Sequence, residues 1–213
     1  MIKFRPMAGI IPEGKKGIAE VKHFEVSKED SEFTMIRAVM YPEEYVPPGT
    51  YCRLRVDGQL VMTDTLMEQN TNRRFLHSVE QSGGHILIAG LGLGMILIPL
   101  FKMPKVKSIS IIEKHQDVVD LVLPALRAKY GYPQCPEVEP RRCTVITADV
   151  KEWVPPVDCR GSWDFIYFDI WPTICGDDYQ EMVALKEKFR PYLKRYGWIR
   201  CWSEDRARVS AGW

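Results

Sequence analysis

The chain has 213 residues, of which 46% are hydrophobic and 27% are charged. This composition is typical of a globular domain and excludes disorder for most of the chain. Its 29 Lys and Arg against 28 Asp and Glu leave a net charge of +1, which does not indicate nucleic acid or an anionic membrane as a partner. The longest apolar stretch, residues 86–101, is too short to cross a bilayer. Residues 1–6 lack the apolar core of an export signal, so we expect a cytoplasmic location and no membrane partner.

The cysteines and histidines suggest no metal site. Six cysteines and four histidines are present, without a C-x-x-C pair or zinc-finger spacing. In a chain of this length with no export signal, free thiols are favoured over disulfides.

Residues 1–82 are expected to form a small β-rich region with a hairpin and a connecting helix. Residues 32–40 and 51–56 have the composition of strands, and the second run alternates with a period of two. Asp57-Gly58 joins that run to residues 59–63. Two such runs joined by Asp-Gly are the strongest short-range signal of a hairpin.

From residue 83 onward, strand-like and helix-like segments alternate. The predicted strands cover residues 85–89, 108–113, 143–147, 163–169 and 197–202, the predicted helices cover 64–80, 95–101, 117–130 and 177–194, and a proline-rich loop covers 131–141. This alternation predicts an α/β fold with a Rossmann-like, mostly parallel sheet and helices on both faces. Ligands of such sheets bind beyond the carboxyl ends of the strands, near the point where strand order reverses.

The first of these strands ends in Gly90-Leu91-Gly92-Leu93-Gly94. Such a turn lets the backbone approach a ligand closely, and the following helix offers free N–H groups. Met95 stands where the dinucleotide fingerprint G-x-G-x-x-G needs Gly or Ala, which counts against NAD. A tight turn without a ligand is the alternative, although three alternating glycines are entropically costly for that purpose.

Acids follow the next two strands. Glu113 can accept hydrogen bonds from ribose hydroxyls, or it can be an ordinary surface acid at a strand end. Asp149, with the Val150 backbone beside it, can bond the exocyclic amine of a base. Asp149 can equally act as an N-cap, and the two roles are compatible.

The fourth strand ends in Asp169, and Trp171 follows two residues later. The Asp169 carboxylate can bind a cationic centre or act as a base. The Trp171 ring can stack on a planar group or face a sulfonium. A capping acid and a core tryptophan are the alternative interpretation.

This ordered set, a glycine turn and then an acid after each of three strands, resembles the class I S-adenosylmethionine-dependent methyltransferases over residues 85–202. The resemblance implies S-adenosylmethionine as cofactor, no metal, and residues 83–213 as the domain that binds it. It implies that Gly90, Gly92 and Gly94 wrap the methionine part, that Glu113 holds the ribose and that Asp149 holds the adenine, with Leu91, Lys114 and Val150 as further cofactor contacts. Asp169 and Trp171 would face the sulfonium or the acceptor.

The N-terminal part extends the resemblance. Residues 56–64, followed by a helix and the glycine strand, are similar to the spermidine synthase-like subgroup, whose β-domain closes the pocket with its last hairpin and helix. On this resemblance Asp64 and Glu68 are candidates to touch the acceptor or the cofactor. Residues 169–172 and 174–177 also look like methyltransferase-like proteins of phages and prophages.

Three departures from the resemblance affect the prediction. Leu93 replaces the acid of the spermidine synthase glycine turn, and the acids that follow Asp169 in that family are missing. A cationic amine without paired carboxylates is poorly stabilised, so aminopropyl transfer is disfavoured. Residues 203–213 are too few for the usual C-terminal hairpin, so the sheet is expected to end on its fifth strand. That exposed edge admits a homodimer.

The leading hypothesis is methyl transfer from S-adenosylmethionine to an unidentified acceptor, with a small molecule favoured. Asp169, Trp171 and Asp64 are the catalytic candidates, and Asp169 would position the nucleophile or take its proton. An aminopropyltransferase is the second hypothesis. The third is a non-catalytic nucleoside-binding or assembly protein that kept the fold, and a nicotinamide oxidoreductase is a distant fourth.

Overall fold

A computed structural model describes residues 4–39, 45–130 and 142–213, so the predicted loop 131–141 lies outside it. The first sheet is antiparallel, in the order β1-β2-β3-β4. Its strands are β1 (Gly14–Lys16), β2 (Ala19–Val26), β3 (Gly49–Val56) and β4 (Gln59–Thr63). Asp57 and Gly58 join β3 to β4 with φ of 50° and 73°, the left-handed backbone that a two-residue hairpin turn requires. The predicted hairpin is therefore confirmed.

The predicted strand over residues 32–40 is wrong, because residues 32–38 lie in a helix, α1 (Lys28–Ala38); residue 40 lies outside the described residues. A reciprocal cap starts this helix. The Asp30 N–H donates to Ser27 Oγ at 3.0 Å, and the Ser27 N–H donates to Asp30 Oδ2 at 3.2 Å. The apolar side chains that suggested a strand, such as Phe33 and Ile36, are exposed, so local capping decides the conformation here.

The second sheet has five strands in the order β7-β6-β5-β8-β9, and every neighbouring pair is parallel. The strands are β5 (Gly84–Ala89), β6 (Val106–Glu113), β7 (Arg142–Thr147), β8 (Trp163–Phe168) and β9 (Leu193–Cys201). This is the doubly wound order, and it confirms the predicted Rossmann-like fold. The order reverses between β5 and β8. Within the described residues β9 forms one edge of the sheet, as expected, and its cover by a second copy stays a prediction.

Six further α-helices lie in the described part of the chain. They are α2 (Leu66–Thr71), α3 (Arg73–Ser82), α4 (Leu97–Lys102), α5 (Gln116–Tyr130), α6 (Asp178–Phe189) and α7 (Glu204–Ser210). The single helix predicted over 64–80 is thus divided at Asn72. The helix predicted over 177–194 ends at Phe189, because a 3-10 turn that contains Pro191 follows it and β9 begins at Leu193. Among the described residues, no helix is long and apolar enough to span a bilayer.

The two sheets are in contact through α5. The Ile18 N–H, in the β1–β2 turn, donates to Asp117 Oδ2 at 3.0 Å, and Gly14 of β1 lies against Leu121. The five cysteines within the described ranges are free thiols. The division of the chain into regions 1–82 and 83–213 stays a prediction.

Replacing Ser27 by Ala should lower the free energy of unfolding by about 1 kcal/mol, because the Asp30 N–H loses its side-chain acceptor. Chemical denaturation measures this directly. Ser78→Ala is the matched control: Ser78 lies inside α3 and donates to the Arg74 carbonyl, where alanine favours the helix. Equal destabilisation by both substitutions would contradict the capping assignment.

Candidate functional site

A cavity of about 470 Å³ lies at the carboxyl ends of β5, β6 and β8, where the strand order reverses. Its volume is within the usual range for small-molecule sites. The β3–β4 hairpin and α2 form the opposite wall. The polar and aromatic residues that line the cavity are Asp57, Glu68, Glu113, Lys114, His115, Asp149, Lys151, Asp169, Trp171 and Trp202.

The glycine turn after β5 forms part of the wall and has neighbours on both sides. A Cβ at Gly90 would lie 2.1 Å from the Asp169 carbonyl oxygen, and one at Gly92 would lie 2.5 Å from Met62 Sδ. Both glycines have positive φ. The Leu93 N–H donates to Met62 Sδ at 3.3 Å. Close approach of backbone therefore requires glycine at Gly90, whereas at Gly92 the left-handed φ favours glycine. The hairpin residue Met62, which the sequence did not indicate, packs directly on the turn.

Two predicted site residues do not line the cavity. Gly94, with φ of 68°, lies against the Leu126 side chain of α5. Asp64 is fully buried. Its Oδ2 accepts from the Met7 N–H and its Oδ1 from the Cys52 N–H, both at 2.6 Å. Asp64 thus ties the N-terminal segment to β3, and its position offers no contact with a ligand in this cavity.

Glu113 ends β6 and links two turns. Its Oε2 accepts from the Leu91 N–H at 2.8 Å, and its Oε1 accepts from the His115 N–H at 2.9 Å. The side chain is largely buried yet borders the cavity. Because each carboxylate oxygen has two lone pairs, each can accept one further hydrogen bond. This arrangement suits a pair of neighbouring hydroxyl groups.

Asp149 caps its own turn and also borders the cavity. Its Oδ1 accepts from the Lys151 N–H at 2.9 Å, and its backbone carbonyl accepts from the Trp153 N–H at 2.7 Å. Its Oδ2 lies 2.9 Å from Lys114 Nζ, and the hydrogen bond from that ammonium lowers the pKa of Asp149. Val150, Lys114 and Lys151 line the cavity beside it. The capping role is thus present together with access to the cavity.

A second carboxyl group lines the cavity together with Asp169. Burial, with a smaller contribution from the nearby Glu68 charge, raises the pKa of Asp169 to about 8. Burial raises the pKa of Glu68 to about 7. Two carboxyl groups that repel each other in a poorly solvated site favour a state in which one holds a proton. The premise that this pocket lacks paired acids is therefore wrong: Glu68 supplies the second acid from α2.

Two tryptophans complete this end of the cavity. The Trp171 Nε1–H donates to Glu181 Oε1 at 2.8 Å, and the Trp202 Nε1–H donates to Thr71 Oγ1 at 2.9 Å. Both residues are nearly buried. With each indole N–H satisfied, the ring carbons form the apolar wall next to the two carboxyl groups. Trp202 was not among the predicted site residues, because nothing local in the sequence links it to α2.

No protein-family model matches the sequence, and no curated protein shows a significant match. Many solved structures resemble the fold, among them these three. A spermidine synthase from Thermotoga maritima aligns over 86% of this chain and 52% of its own, with 17% identity and a TM-score of 0.49. A methyltransferase from Mesorhizobium loti, described as S-adenosylmethionine-dependent, aligns over 58% and 48%, with 16% identity and a TM-score of 0.38. The YcgJ protein from Bacillus subtilis aligns over 62% and 50%, with 12% identity and a TM-score of 0.44.

The chain spans about half the length of each of these solved structures. At such identities and scores, the likeness concerns the fold alone. The phage-type resemblance of residues 169–177 stays a prediction. Among the described residues, no cluster of three His, Cys, Asp or Glu side chains can hold a metal ion.

Replacing Asp169 by Asn should stabilise the protein, relative to wild type, increasingly as pH rises. The pKa of Asp169 in the folded protein, about 8, lies above that of an unfolded aspartate. Wild type therefore loses stability, relative to Asp169→Asn, between about pH 4 and about pH 8, and the difference levels off above that range. Melting temperatures of both proteins across this range measure the effect.

Glu68→Gln provides the internal control for that titration. It removes the neighbouring charge, which lowers the pKa of Asp169 in the folded protein. In this background the gain from Asp169→Asn should therefore be smaller and should level off at a lower pH. A stability difference between wild type and Asp169→Asn that is constant with pH would contradict the raised pKa.

Proposed function

We propose that the protein transfers a methyl group from S-adenosylmethionine to an acceptor held beside Asp169 and Glu68. One observation carries the proposal: a single cavity at the switch point of the sheet is lined by the Glu113 carboxylate at the end of β6 and by a pair of poorly solvated carboxyl groups, Asp169 after β8 and Glu68 on α2. A ribose and a reacting centre need these two different surroundings.

The residues of the cavity fit the cofactor. The remaining lone pairs of Glu113 would accept hydrogen bonds from the two ribose hydroxyl groups. Asp149 and the Val150 backbone would bond the adenine. The close-packed backbone at Gly90 and Gly92 would border the methionine part. When bound, the cofactor supplies an electrophilic methyl group on a sulfonium.

The chain's own contribution to the reaction is alignment and proton removal. Asp169, with a pKa of about 8, is partly ionised near neutral pH, which is where a general base is most effective. Glu68 would hold a positively charged or hydrogen-bonding part of the acceptor. Trp171 and Trp202 would exclude water and fix the acceptor against the methyl group. The acceptor is then a small molecule with an amine or hydroxyl that loses a proton on methylation.

Glu113→Gln and Gly92→Trp should each weaken binding of S-adenosylmethionine and S-adenosylhomocysteine by tenfold or more, about 1.4 kcal/mol. The first removes charge from the hydroxyl acceptor; the second fills the wall next to Met62. Isothermal titration calorimetry measures both. Glu187→Gln is the control, because Glu187 lies on the exposed side of α6 and pairs with Arg190. Unchanged binding in both site variants would refute the site.

Aminopropyl transfer is a second candidate, and one observation favours it: Glu68 restores the carboxyl pair that a polyamine site needs. Glu68 and Asp169 together can hold a cationic amine and take a proton from it. The cavity chemistry alone is compatible with either transfer.

The two candidates differ in the cofactor that they accept. We expect S-adenosylmethionine to bind more tightly than its decarboxylated form and to be turned over. Turnover is measured as release of S-adenosylhomocysteine in the presence of a panel of small amines and hydroxyl compounds. Turnover only with decarboxylated S-adenosylmethionine, releasing methylthioadenosine, would establish aminopropyl transfer instead. Tight binding of S-adenosylmethionine without turnover of any acceptor, together with an unaltered affinity in Asp169→Asn, would favour a non-catalytic nucleoside-binding protein.

A further inference from the structure

The outer face of the antiparallel sheet is rich in cations, although the chain is nearly neutral. The strand register pairs Lys15 with Glu20, Glu20 with Arg55, and Lys22 with Arg53. Directly opposed residues share a face of a sheet, and successive residues alternate between faces. Most residues that alternate with these on β2 and β3 are in the hydrophobic core, namely Ala19, Val21, Cys52, Leu54 and Val56. Four cationic side chains and one acid therefore project outward together.

Two guanidinium groups on this face have a donor without a partner in the described part of the chain. Among the described residues no acceptor contacts Arg53 Nε or Arg55 Nε, and both atoms are buried although each side chain as a whole is half-buried. Glu20, the acid of this group, lies 3.2 Å from Lys22 Nζ. Buried donors without an acceptor are uncommon in folded proteins. The two arginines are two residues apart on β3, so their Cα atoms are separated by about 6.8 Å, similar to the spacing of consecutive phosphates in an extended strand.

An aromatic pair continues the same face. Phe24 lies opposite Tyr51 in the register, one row beyond Lys22 and Arg53. The two rings stack with centroids 5.7 Å apart, and both residues are half-buried. The Tyr51 hydroxyl donates to the Pro47 carbonyl at 2.7 Å, which fixes the ring. Proteins that bind single-stranded nucleic acids often place aromatic rings next to arginines on a sheet, because bases stack on rings while guanidinium groups pair with phosphates.

We propose that this outer face binds single-stranded nucleic acid, with the phosphates held by the cations and bases held by the rings. The face is formed by Lys15, Lys22, Phe24, Tyr51, Arg53 and Arg55. An acidic peptide would satisfy the cations but would leave the aromatic pair without a role. The proposal does not rest on methyl transfer, because the face is on the opposite side of the sheet from the cavity wall.

Fluorescence anisotropy with labelled oligothymidylate and oligouridylate of about 12 nucleotides tests this on the full chain. Four phosphate contacts predict a slope of about −2.8 in log affinity against log salt, so binding should weaken roughly 50-fold between about 50 and about 200 mM salt. No binding at the lower salt concentration would overturn the proposal.

Variants separate specific contacts from general charge. Arg53→Gln with Arg55→Gln should halve the salt slope, to about −1.4, and Arg53→Lys with Arg55→Lys should restore it. Phe24→Leu should weaken binding about fivefold or more through lost stacking while leaving the slope unchanged. Lys102→Gln with Lys107→Gln, the same charge change on α4 and at an exposed position of β6, should leave both affinity and slope close to wild type.

Three further outcomes would overturn the proposal. The first is an equal loss in the Lys102 and Lys107 control. The second is displacement of the oligonucleotide by polyglutamate as effectively as by unlabelled oligonucleotide, which would indicate an acidic protein partner. The third is wild-type affinity in the arginine-to-glutamine variant when its circular dichroism and melting temperature show that it is folded. Calorimetry with S-adenosylmethionine on the same preparations shows separately whether the cavity is intact.

Discussion

The cavity depends on the hydrogen bonds that hold the junction of α2 and α3 against the second sheet. Asn72 is fully buried there, and its Oδ1 accepts from the Tyr167 hydroxyl at 3.1 Å while its Nδ2 donates to the Glu68 carbonyl at 3.1 Å. Trp202 donates to Thr71 in the same turn. Breaking a buried bond of this kind leaves an unsatisfied polar group, which is more costly than the bond itself is favourable. The last turn of α2 is therefore fixed relative to β8, and the opposite wall of the cavity is fixed with it.

This attachment gives the cavity two chemically different parts. Near β7 the negative charge of Asp149 is paired with the Lys114 ammonium, which lowers the pKa of Asp149. Near β8 burial raises the pKa of both Glu68 and Asp169, and repulsion from Glu68 adds to the shift at Asp169. A neutral polar group suits the first part, and a cation or a proton donor suits the second. Group transfer requires two such environments, because one end of a ligand has to be recognised while a reacting centre has to lose a proton.

The strand-end residues could be predicted from the sequence, because the carboxyl ends of parallel strands meet at one edge. Gly90, Glu113, Asp149 and Asp169 were located in this way, and all four line the cavity. Glu68 came only from resemblance, since its approach to Asp169 is set by how the two sheets pack. The same holds for the contrast between Glu68 and Asp64, four residues apart: backbone amides from distant segments turn Asp64 into the core.

Local pattern failed where two local signals disagreed. The apolar run at 32–40 favoured a strand by propensity, yet the Ser27 and Asp30 cap was equally visible in the sequence and decided for α1. Propensity reports how well a side chain fits a half-buried pleat, and Phe33 and Ile36 are exposed, so there is no pleat to fit. A capping box upstream of an apolar run therefore outweighs the β propensity of that run unless a partner strand is also identified.

The net charge of the chain does not show how charges are distributed between the two faces of a strand, whereas the alternation of side chains along the strand does. Along β3, Leu54 and Val56 line the cavity while Arg53 and Arg55 project to the other side. One short strand thus supplies an apolar wall for a small ligand and a cationic surface on its reverse. Whole-chain charge averages these surfaces with the acids elsewhere, so a value of +1 excludes long-range attraction of polyanions by the whole molecule but not their binding to one face. The strand register places side chains in rows, so it shows whether the cations are dispersed over the molecule or gathered on one face.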